Sequence, residues 1–226
     1  MEKRLIIAID GPAASGKSST AQRLAQKLGY LYLDTGAMYR ACALKARRLG
    51  LDLGDAATVQ AMLERLDIRV QMTQDSNVIL LDNEDVSQAI RDPEISRLAS
   101  DISALPAVRY KLVELQRQMG AEGGVILDGR DIGTFVFPQA ELKFYLTASP
   151  EVRAHRRWLE LQQKGVAVGE DEVLKELKER DAQDSQRALA PLAIAPDAIR
   201  LDTSELSISE QVQALYALVR GKQAAL

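Results

Sequence analysis

The sequence predicts an α/β fold in which helices cover both faces of a five-stranded, mostly parallel sheet. Short apolar runs alternate along the chain with longer segments of helical periodicity, and this alternation is typical of parallel sheets. The runs are rich in isoleucine, leucine and valine, as expected for strands that are buried on both sides. The chain has 226 residues, of which 46% are hydrophobic and 27% charged, so it can bury a substantial core.

The first half of the chain begins with a strand, a loop and a helix. Residues 5–9 are a continuous apolar run that ends at Asp10-Gly11-Pro12, which predicts a central strand. From Lys17 the apolar residues recur at helical spacing as far as Gly29, a typical residue at a helix C-terminus. The next predicted elements are a strand at 30–33, a helix from 37 to about 49, and a helix from the Asp55 cap through 66.

An insert of mixed α and β structure is predicted at about 62–104. Alternating residues 68–72, a turn at 74–77 and the apolar run 78–81 indicate an antiparallel hairpin. Asp92-Pro93 and Pro106 each start a helix. The later predicted elements are strands at 125–127 and 142–147, a helix opened by Ser149-Pro150, a break near Gly165, a helix from about 170 to 187, a strand at 199–201, and a closing helix around 212–219.

The composition excludes several classes of function. The 29 basic and 32 acidic residues give a net charge of −3, so no overall positive field attracts nucleic acid or an anionic membrane. A single cysteine, Cys42, excludes an internal disulfide, and a single histidine, His155, excludes a multi-histidine metal site. No apolar run approaches the roughly 18 residues that span a bilayer. We expect a cytoplasmic monomer that binds neither nucleic acid nor membrane.

The strongest motif is Gly11-Pro12-Ala13-Ala14-Ser15-Gly16-Lys17-Ser18, which fits G-x-x-x-x-G-K-[ST] between a strand and a helix. Backbone N–H groups and the helix N-terminus stabilise phosphate, and Lys17 adds a mobile cation. The motif predicts a P-loop NTPase fold that binds a nucleoside triphosphate, most often ATP or GTP, with Ser19 also contacting the nucleotide. Ser18 is the expected Mg²⁺ ligand and Asp128 a second one, through water. The run Ser18-Ser19-Thr20 leaves open which hydroxyl reaches the metal, and Asp131 is an alternative to Asp128.

The arginines indicate the reaction. Transfer of a phosphoryl group to a second phosphate brings two polyanions close together, and their negative charge needs compensating positive charge. Arg180, Asp184 and Arg187 stand at i, i+4 and i+7, on one face of a predicted helix. A solvated, salt-bridged surface is the alternative interpretation of that face. Further candidates are Arg40, Arg109, Arg130, Arg153, Arg156 and Arg157. The last three, with the loop at Gly165, predict a short helical lid at about 153–168.

Acidic residues follow three of the predicted strands. Asp10, Asp34 and Asp128 each stand where a strand ends. Ligands of parallel sheets gather beyond the carboxyl ends of the strands, so we expect polar groups to converge there.

The chain resembles the bacterial-type cytidylate kinases, which make CDP from CMP and ATP. The resemblance runs nearly end to end and is carried by four segments: residues 6–12, Leu33-Asp34-Thr35-Gly36-Ala37-Met38-Tyr39-Arg40, Asp128-Gly129-Arg130-Asp131-Ile132-Gly133-Thr134, and Lys178-Glu179-Arg180-Asp181. The resemblance implies the following contacts: Thr35, Arg40, Arg130 and Arg187 around the CMP phosphate; Ser100, Arg109 and Asp131 at the cytosine; Arg180 and Asp184 at the ribose. It also implies that dCMP is a substrate.

The expected organisation is one kinase domain over 1–226. Its core is expected at about 1–34, 124–150 and 170–226, and its monophosphate-binding region at about 35–123. We expect direct in-line phosphoryl transfer, in which Lys17, Arg130, Arg153, Arg157, Arg180 and Arg187 stabilise the charge. The alternatives are a kinase acting on UMP, AMP or a hydroxy acid, and a GTPase-type switch, although the sequence lacks an N-K-x-D-like element.

Overall fold

The computed structural model describes residues 4–72 and 77–225. The chain divides into two compact units: unit 1 comprises Met1–Tyr32 and Glu122–Leu226, and unit 2 comprises Leu33–Ala121. Unit 2 covers nearly the same residues as the predicted monophosphate-binding region, whose binding role stays a prediction. The predicted turn at 74–77 lies outside the described residues, except for Asn77.

The helices and strands follow the predicted order. In chain order they are β1 (Ile6–Asp10), α1 (Lys17–Leu28), β2 (Leu31–Asp34), α2 (Thr35–Arg48), α3 (Ala56–Glu64), β3 (Ile68–Met72), β4 (Asn77–Leu81), β5 (Glu84–Asp85), α4 (Pro93–Ile102), α5 (Pro106–Gly120), β6 (Val125–Gly129), β7 (Leu142–Thr147), α6 (Pro150–Gln163), α7 (Glu170–Gln186), β8 (Ile199–Asp202) and α8 (Ile208–Ala224). A short 3-10 turn covers Ala89–Arg91, and a π-helical turn covers Ile132–Val136.

The larger sheet has five strands in the order β2-β6-β1-β7-β8 and is parallel, which confirms the predicted fold class. β1 lies at its centre, where Asp10 is level with Gly129 of β6 and Tyr145 of β7. The carboxyl ends of these three strands therefore meet at one edge of the sheet. The phosphate loop leaves from that edge.

The core of unit 1 forms on one face of this sheet. Apolar side chains of the central strands, such as Ile7, Ile9 and Phe144, pack against Leu24 of α1 and Leu215 of α8. All five side chains are almost fully buried. Burial of this face holds α1, the helix that follows the phosphate loop, firmly against β1.

Unit 2 is built around α2, whose buried residues include Met38, Ala41 and Cys42. α3, α4, α5 and β4 all contact α2. The predicted hairpin is confirmed as the antiparallel pair β3 and β4, with Ile68 level with Leu81. The short strand β5, which the sequence did not predict, pairs with β4.

Some boundaries differ from those predicted. α2 begins at Thr35 rather than Ala37, because the Asp34 carboxylate accepts a hydrogen bond from the Ala37 N–H at 2.8 Å and caps the helix. α7 ends at Gln186, so Arg187 lies just past the helix and not on its face. The predicted caps Asp55 and Asp92 are confirmed.

Among residues 4–72 and 77–225, none of the helices combines enough length with enough apolar character to cross a bilayer.

Candidate active site

The phosphate loop connects β1 to α1 and follows the predicted motif. Gly11 has a φ of +151°, and a Cβ at this position would overlap the carbonyl oxygen of Leu146 on β7. Gly16 adopts a left-handed conformation with φ +86°, which turns the chain into α1. Within the described residues, no side chain caps the N-terminus of α1. The first N–H groups of this helix therefore suit an anionic ligand.

Lys17 is the first residue of α1, and its side chain is directed back over the loop. Its ammonium donates a hydrogen bond to the Pro12 carbonyl oxygen at 3.0 Å, and the residue is buried. A flexible stem with a compact charge can exchange a carbonyl partner for a phosphate oxygen. The loop therefore holds a cation at the position where the motif predicts that the triphosphate binds.

The hydroxyl groups at the start of α1 differ in their surroundings. Ser18 is exposed, and its Oγ donates to the carboxylate of Asp128 at 2.6 Å. The Tyr32 hydroxyl donates to the other oxygen of Asp128 at 3.0 Å. Thr20 is buried, and its hydroxyl donates to Gln211 at 2.7 Å. Ser18 is thus the hydroxyl that lies beside a strand-end carboxylate.

An arginine cluster, defined here as Arg130, Arg180, Asp184 and Arg187, lies in unit 1 after β6 and along α7. The Arg130 Nε donates to the Asp184 carboxylate at 2.8 Å, and an Arg187 nitrogen lies 3.7 Å from the same carboxylate. Burial raises the pKa of Asp184, but the three guanidinium groups outweigh burial and leave this pKa below its ordinary value. Although Arg187 is outside the helix, the structure still brings it to Asp184.

Burial acts on the charge of Arg130 as well. It lowers the pKa of Arg130, whereas Asp184, Asp128 and Asp181 raise it, and the net result is a pKa above the ordinary value. The guanidinium is therefore charged at any physiological pH. Three guanidinium groups around the one carboxylate of Asp184 leave the arginine cluster with a net positive charge, which suits an anion.

The lid arginines occupy different environments. Arg153 is buried and bridges two elements: it donates to the Ala13 carbonyl in the phosphate loop at 3.3 Å and pairs with Asp181 of α7 at 2.7 Å. Arg157 lies at the surface and pairs with Glu160 at 3.0 Å. The predicted lid spans α6, the loop around Gly165 and the approach to α7, and Trp158 packs there with apolar residues as the sequence indicated.

Arg156 links the lid to the phosphate loop by another route. It donates to the backbone oxygen and the hydroxyl of Thr203, at 2.6 and 3.1 Å. The Thr203 hydroxyl in turn donates to the Ser15 carbonyl oxygen at 2.9 Å. Two lid arginines thus hold the loop through its carbonyl groups.

Two further carboxylates of unit 1 lie near the carboxyl ends of β1 and β6. Asp10 ends β1 and accepts hydrogen bonds from the N–H groups of Ile132 and Gly133, both at 2.8 Å. Burial raises the pKa of Asp10 to about 7, against the opposing effect of these two hydrogen bonds. Asp131 follows Arg130 and is 5% exposed.

Unit 2 holds the remaining predicted contacts. Thr35 is buried at the start of α2, and Arg40 pairs with Asp34 at 3.0 Å. Arg109 is 1% exposed and donates to the Ser103 carbonyl at 3.2 Å. Its guanidinium also lies over the Tyr39 ring, 5.7 Å from the centroid. Ser100 is partly buried on α4.

Sequence reasoning missed some residues of this site. Asp181 was quoted only as part of a motif, yet it pairs with Arg153. Tyr32 and Thr203 carry no motif, and only the packing of β2 and of the loop after β8 reveals their partners. The sequence places Asp10 at the end of a central strand, but it does not show that this carboxylate accepts from Ile132 and Gly133.

A glycine-rich phosphate loop at the edge of a parallel sheet, with a cluster of arginines on the following elements, defines a P-loop phosphotransferase. A solved shikimate kinase from Bacteroides thetaiotaomicron shares this fold, with a TM-score of 0.51, 13% identity, and coverage of 96% of this chain and 99% of that chain.

Sequence comparison identifies the family. The family model for cytidylate kinase matches residues 7–221. The chain is 49% identical to the cytidylate kinase of Syntrophotalea carbinolica (99% of this chain, 95% of the relative). It is 50% identical to that of Desulfitobacterium hafniense (98% and 95%) and 51% identical to that of Chlorobaculum tepidum (96% and 94%). The chain belongs to the cytidylate kinase family. It is therefore a nucleoside monophosphate kinase that uses ATP as phosphoryl donor.

Proposed function

We propose that this enzyme transfers the γ-phosphoryl group of ATP to CMP, and also to dCMP, giving ADP and the corresponding diphosphate. Family membership supports CMP as the acceptor. The observation in the structure that carries the proposal is the Arg153 bridge, because it joins the phosphate loop at Ala13 to Asp181 on α7, next to the arginine cluster. Groups suited to a donor phosphate and groups suited to an acceptor phosphate therefore lie on connected elements of unit 1.

The residues present support direct in-line transfer. An acceptor phosphate has a second pKa near 6, so its oxygen is already ionised at neutral pH and needs no general base. Lys17 follows the charge that develops on the β- and γ-phosphate oxygens. Arg130 and Arg187 hold the acceptor phosphate, and Arg180 and Asp184 bind the ribose. The ATP triphosphate and the CMP phosphate repel each other, and this repulsion is the main barrier to bringing them together. The arginines reduce it.

The oxygen donors at Ser18 and Asp128 fit Mg²⁺. A hydroxyl and a carboxylate 2.6 Å apart at the edge of the phosphate loop are hard ligands of the kind this cation takes, with the remaining positions left to water and phosphate. When bound, the ion neutralises charge on the β- and γ-phosphates. Because Thr20 donates to the buried Gln211, Ser18 is the hydroxyl we assign to this role.

The residues of unit 2 have roles that rest on the family resemblance. Thr35 and Arg40 are proposed to contact the CMP phosphate, and Ser100 and Arg109 the cytosine. A monomeric state and a cytoplasmic location stay predictions from the sequence, as does the absence of nucleic-acid and membrane partners.

A coupled assay of ADP formation tests the proposal. The enzyme is given ATP and Mg²⁺ with CMP, dCMP, UMP, AMP or a small hydroxy acid in turn, and without any acceptor. We expect CMP to give the highest kcat/KM, with dCMP close to it. ADP formation that is equally fast without an acceptor would indicate a hydrolytic switch, and a preference for another acceptor would replace CMP.

A further inference from the structure

The proposed function gives no role to Asp10, the acidic residue at the end of the central strand. Asp10 is 4% exposed, and the phosphate loop starts at the next residue, Gly11. Its Oδ1 accepts from the Ile132 N–H and its Oδ2 from the Gly133 N–H, each at 2.8 Å. Both carboxylate oxygens are thus committed to backbone amides that are more than 120 residues away along the chain.

These two amides begin the π-helical turn Ile132–Val136. The first N–H groups of a helical turn have no acceptor within the turn, so Asp10 caps it from a neighbouring strand. The N–H groups at the far end of the turn, those of Phe135 and Val136, donate back to the Asp131 carbonyl at 2.9 and 3.1 Å. The backbone directly after Arg130 and Asp131 is therefore fixed to the residue that precedes the phosphate loop.

This arrangement is energetically costly near neutral pH. The pKa of Asp10 is raised to about 7: burial and, to a smaller extent, the nearby Asp131 raise it, while the two N–H groups and Arg130 lower it. The phenol of Tyr145 also lies within electrostatic range, and the stem of Lys143 packs beside Asp10 against Gly133. A buried carboxylate that is expensive to ionise contributes little to stability, and such groups concentrate at functional sites.

We propose that Asp10 is a positioning residue, whose carboxylate fixes the Arg130–Asp131 segment relative to the phosphate loop. The inference rests on the proposed function, in which Arg130 and Asp131 contact CMP. In-line transfer is sensitive to displacements of about 1 Å between the reacting groups, which can reduce the rate about 100-fold. One carboxylate between the donor loop and the acceptor segment controls that distance without touching either substrate.

Asp10→Asn is the variant that tests the role, because it keeps the size of the side chain but offers a single acceptor oxygen. One of the two amides then faces an NH₂ donor. We expect the KM for CMP to rise and kcat to fall, each by about tenfold, while the Kd for ATP changes less than about threefold. Asp10→Ala, which retains neither acceptor, should be more strongly affected. Unchanged CMP kinetics in folded Asp10→Asn, or an equal loss of ATP affinity, would overturn the positioning role.

Glu210→Gln is the matched control. Glu210 is an exposed carboxylate of unit 1 that accepts from the Ser207 N–H at 2.8 Å and caps α8. Glu210→Gln removes a carboxylate charge as Asp10→Asn does, but its amide oxygen can still accept from Ser207, and the residue lies outside the proposed site. We expect its CMP kinetics to match the wild type, and an effect equal to that of Asp10→Asn would show that the loss of any carboxylate charge in unit 1 suffices.

Amide hydrogen exchange tests the anchor without reference to the substrate. The Ile132 and Gly133 amides should exchange slowly in the wild type and at least about tenfold faster in Asp10→Asn, with the amides of β1 unchanged. Should the variants not fold, fast exchange of these two amides in the wild type would by itself overturn the inference. Slow exchange with the expected change, in an enzyme that does not phosphorylate CMP, would instead preserve the anchor and overturn the proposed function.

Discussion

The phosphate loop and the arginine cluster, both proposed to bind phosphate-bearing substrates, are built in different ways. The loop is one contiguous segment, residues 11–18, and its shape follows from two glycines with positive φ. The cluster joins Arg130 to Asp184 across 54 positions of the chain. The loop also offers a cation whose ammonium donates to a neutral carbonyl, whereas the cluster sets three guanidinium groups around one buried carboxylate. A local motif can therefore be recognised directly, while a dispersed cluster depends on the fold to be assembled.

The largest effect should come from the loop. Lys17→Ala removes the cation that follows the transferred phosphoryl group, and we expect kcat to fall by about 10³-fold or more. The bond from the Lys17 ammonium to the Pro12 carbonyl joins two groups of the same loop, so the thermal unfolding temperature should change little. Steady-state kinetics and a thermal melt on the same preparation provide the measurement. Near wild-type turnover would contradict the assignment of the phosphate loop.

The next effect concerns how strongly the enzyme prefers CMP to UMP as the acceptor. A carboxylate only accepts hydrogen bonds, so Asp131 in its proposed place at the base would complement the 4-amino group of cytosine and oppose the O4 carbonyl of uracil. We expect the wild type to favour CMP over UMP by about 100-fold in kcat/KM. Asp131→Asn can donate to O4, and it should narrow that ratio while lowering activity with CMP. An unchanged ratio in the folded variant would place Asp131 in another role.

A smaller effect separates the arginine cluster from an ordinary surface network. Asp184→Ala should raise the KM for CMP or lower kcat by more than about tenfold, because the proposed ribose contact is lost and Arg130 loses its carboxylate partner. Stability should fall as well. Since the arginines hold the pKa of Asp184 below its ordinary value, its stabilisation is present above pH 4 or so and is lost as the pH falls through the lowered pKa. If stability alone changes, the cluster is structural.

The smallest effect is a pH dependence of the opposite sign at Asp10. Its pKa is raised from 3.8 to about 7, so its stabilising contribution is complete below about pH 4 and is lost as the pH rises to about 7. Relative to Asp10→Asn, the free energy of unfolding of the wild type should fall by at most about 1.4 kcal/mol per pH unit across this window. Urea denaturation of both proteins from pH 4.5 to 8 measures the slope. A flat difference would show that Asp10 is not titrating there.

The fold was largely predictable because its signals are local. Apolar runs gave all five strands of the main sheet, and the caps at Asp55 and Asp92 marked two helix starts. The start of α2 was placed two residues late, since Thr35-Gly36 reads as a turn and the capping role of Asp34 depends on its side-chain orientation. The π-helical turn after Asp131 was not predicted because its cap, Asp10, is adjacent in the sheet but more than 120 residues away in the sequence.

The sequence by itself determined the class of chemistry. A phosphate loop has a fixed spacing because successive backbone groups must surround one phosphate, so a contiguous motif is sufficient to predict it. The tertiary structure decided which charged groups pair. Arg153 contacts the phosphate loop and Asp181 whereas Arg157 stays at the surface, although the two lie on one helix and carry the same side chain. Partners of this kind are set by the packing of elements far apart in sequence, where burial makes each unpaired charge costly and selects one arrangement.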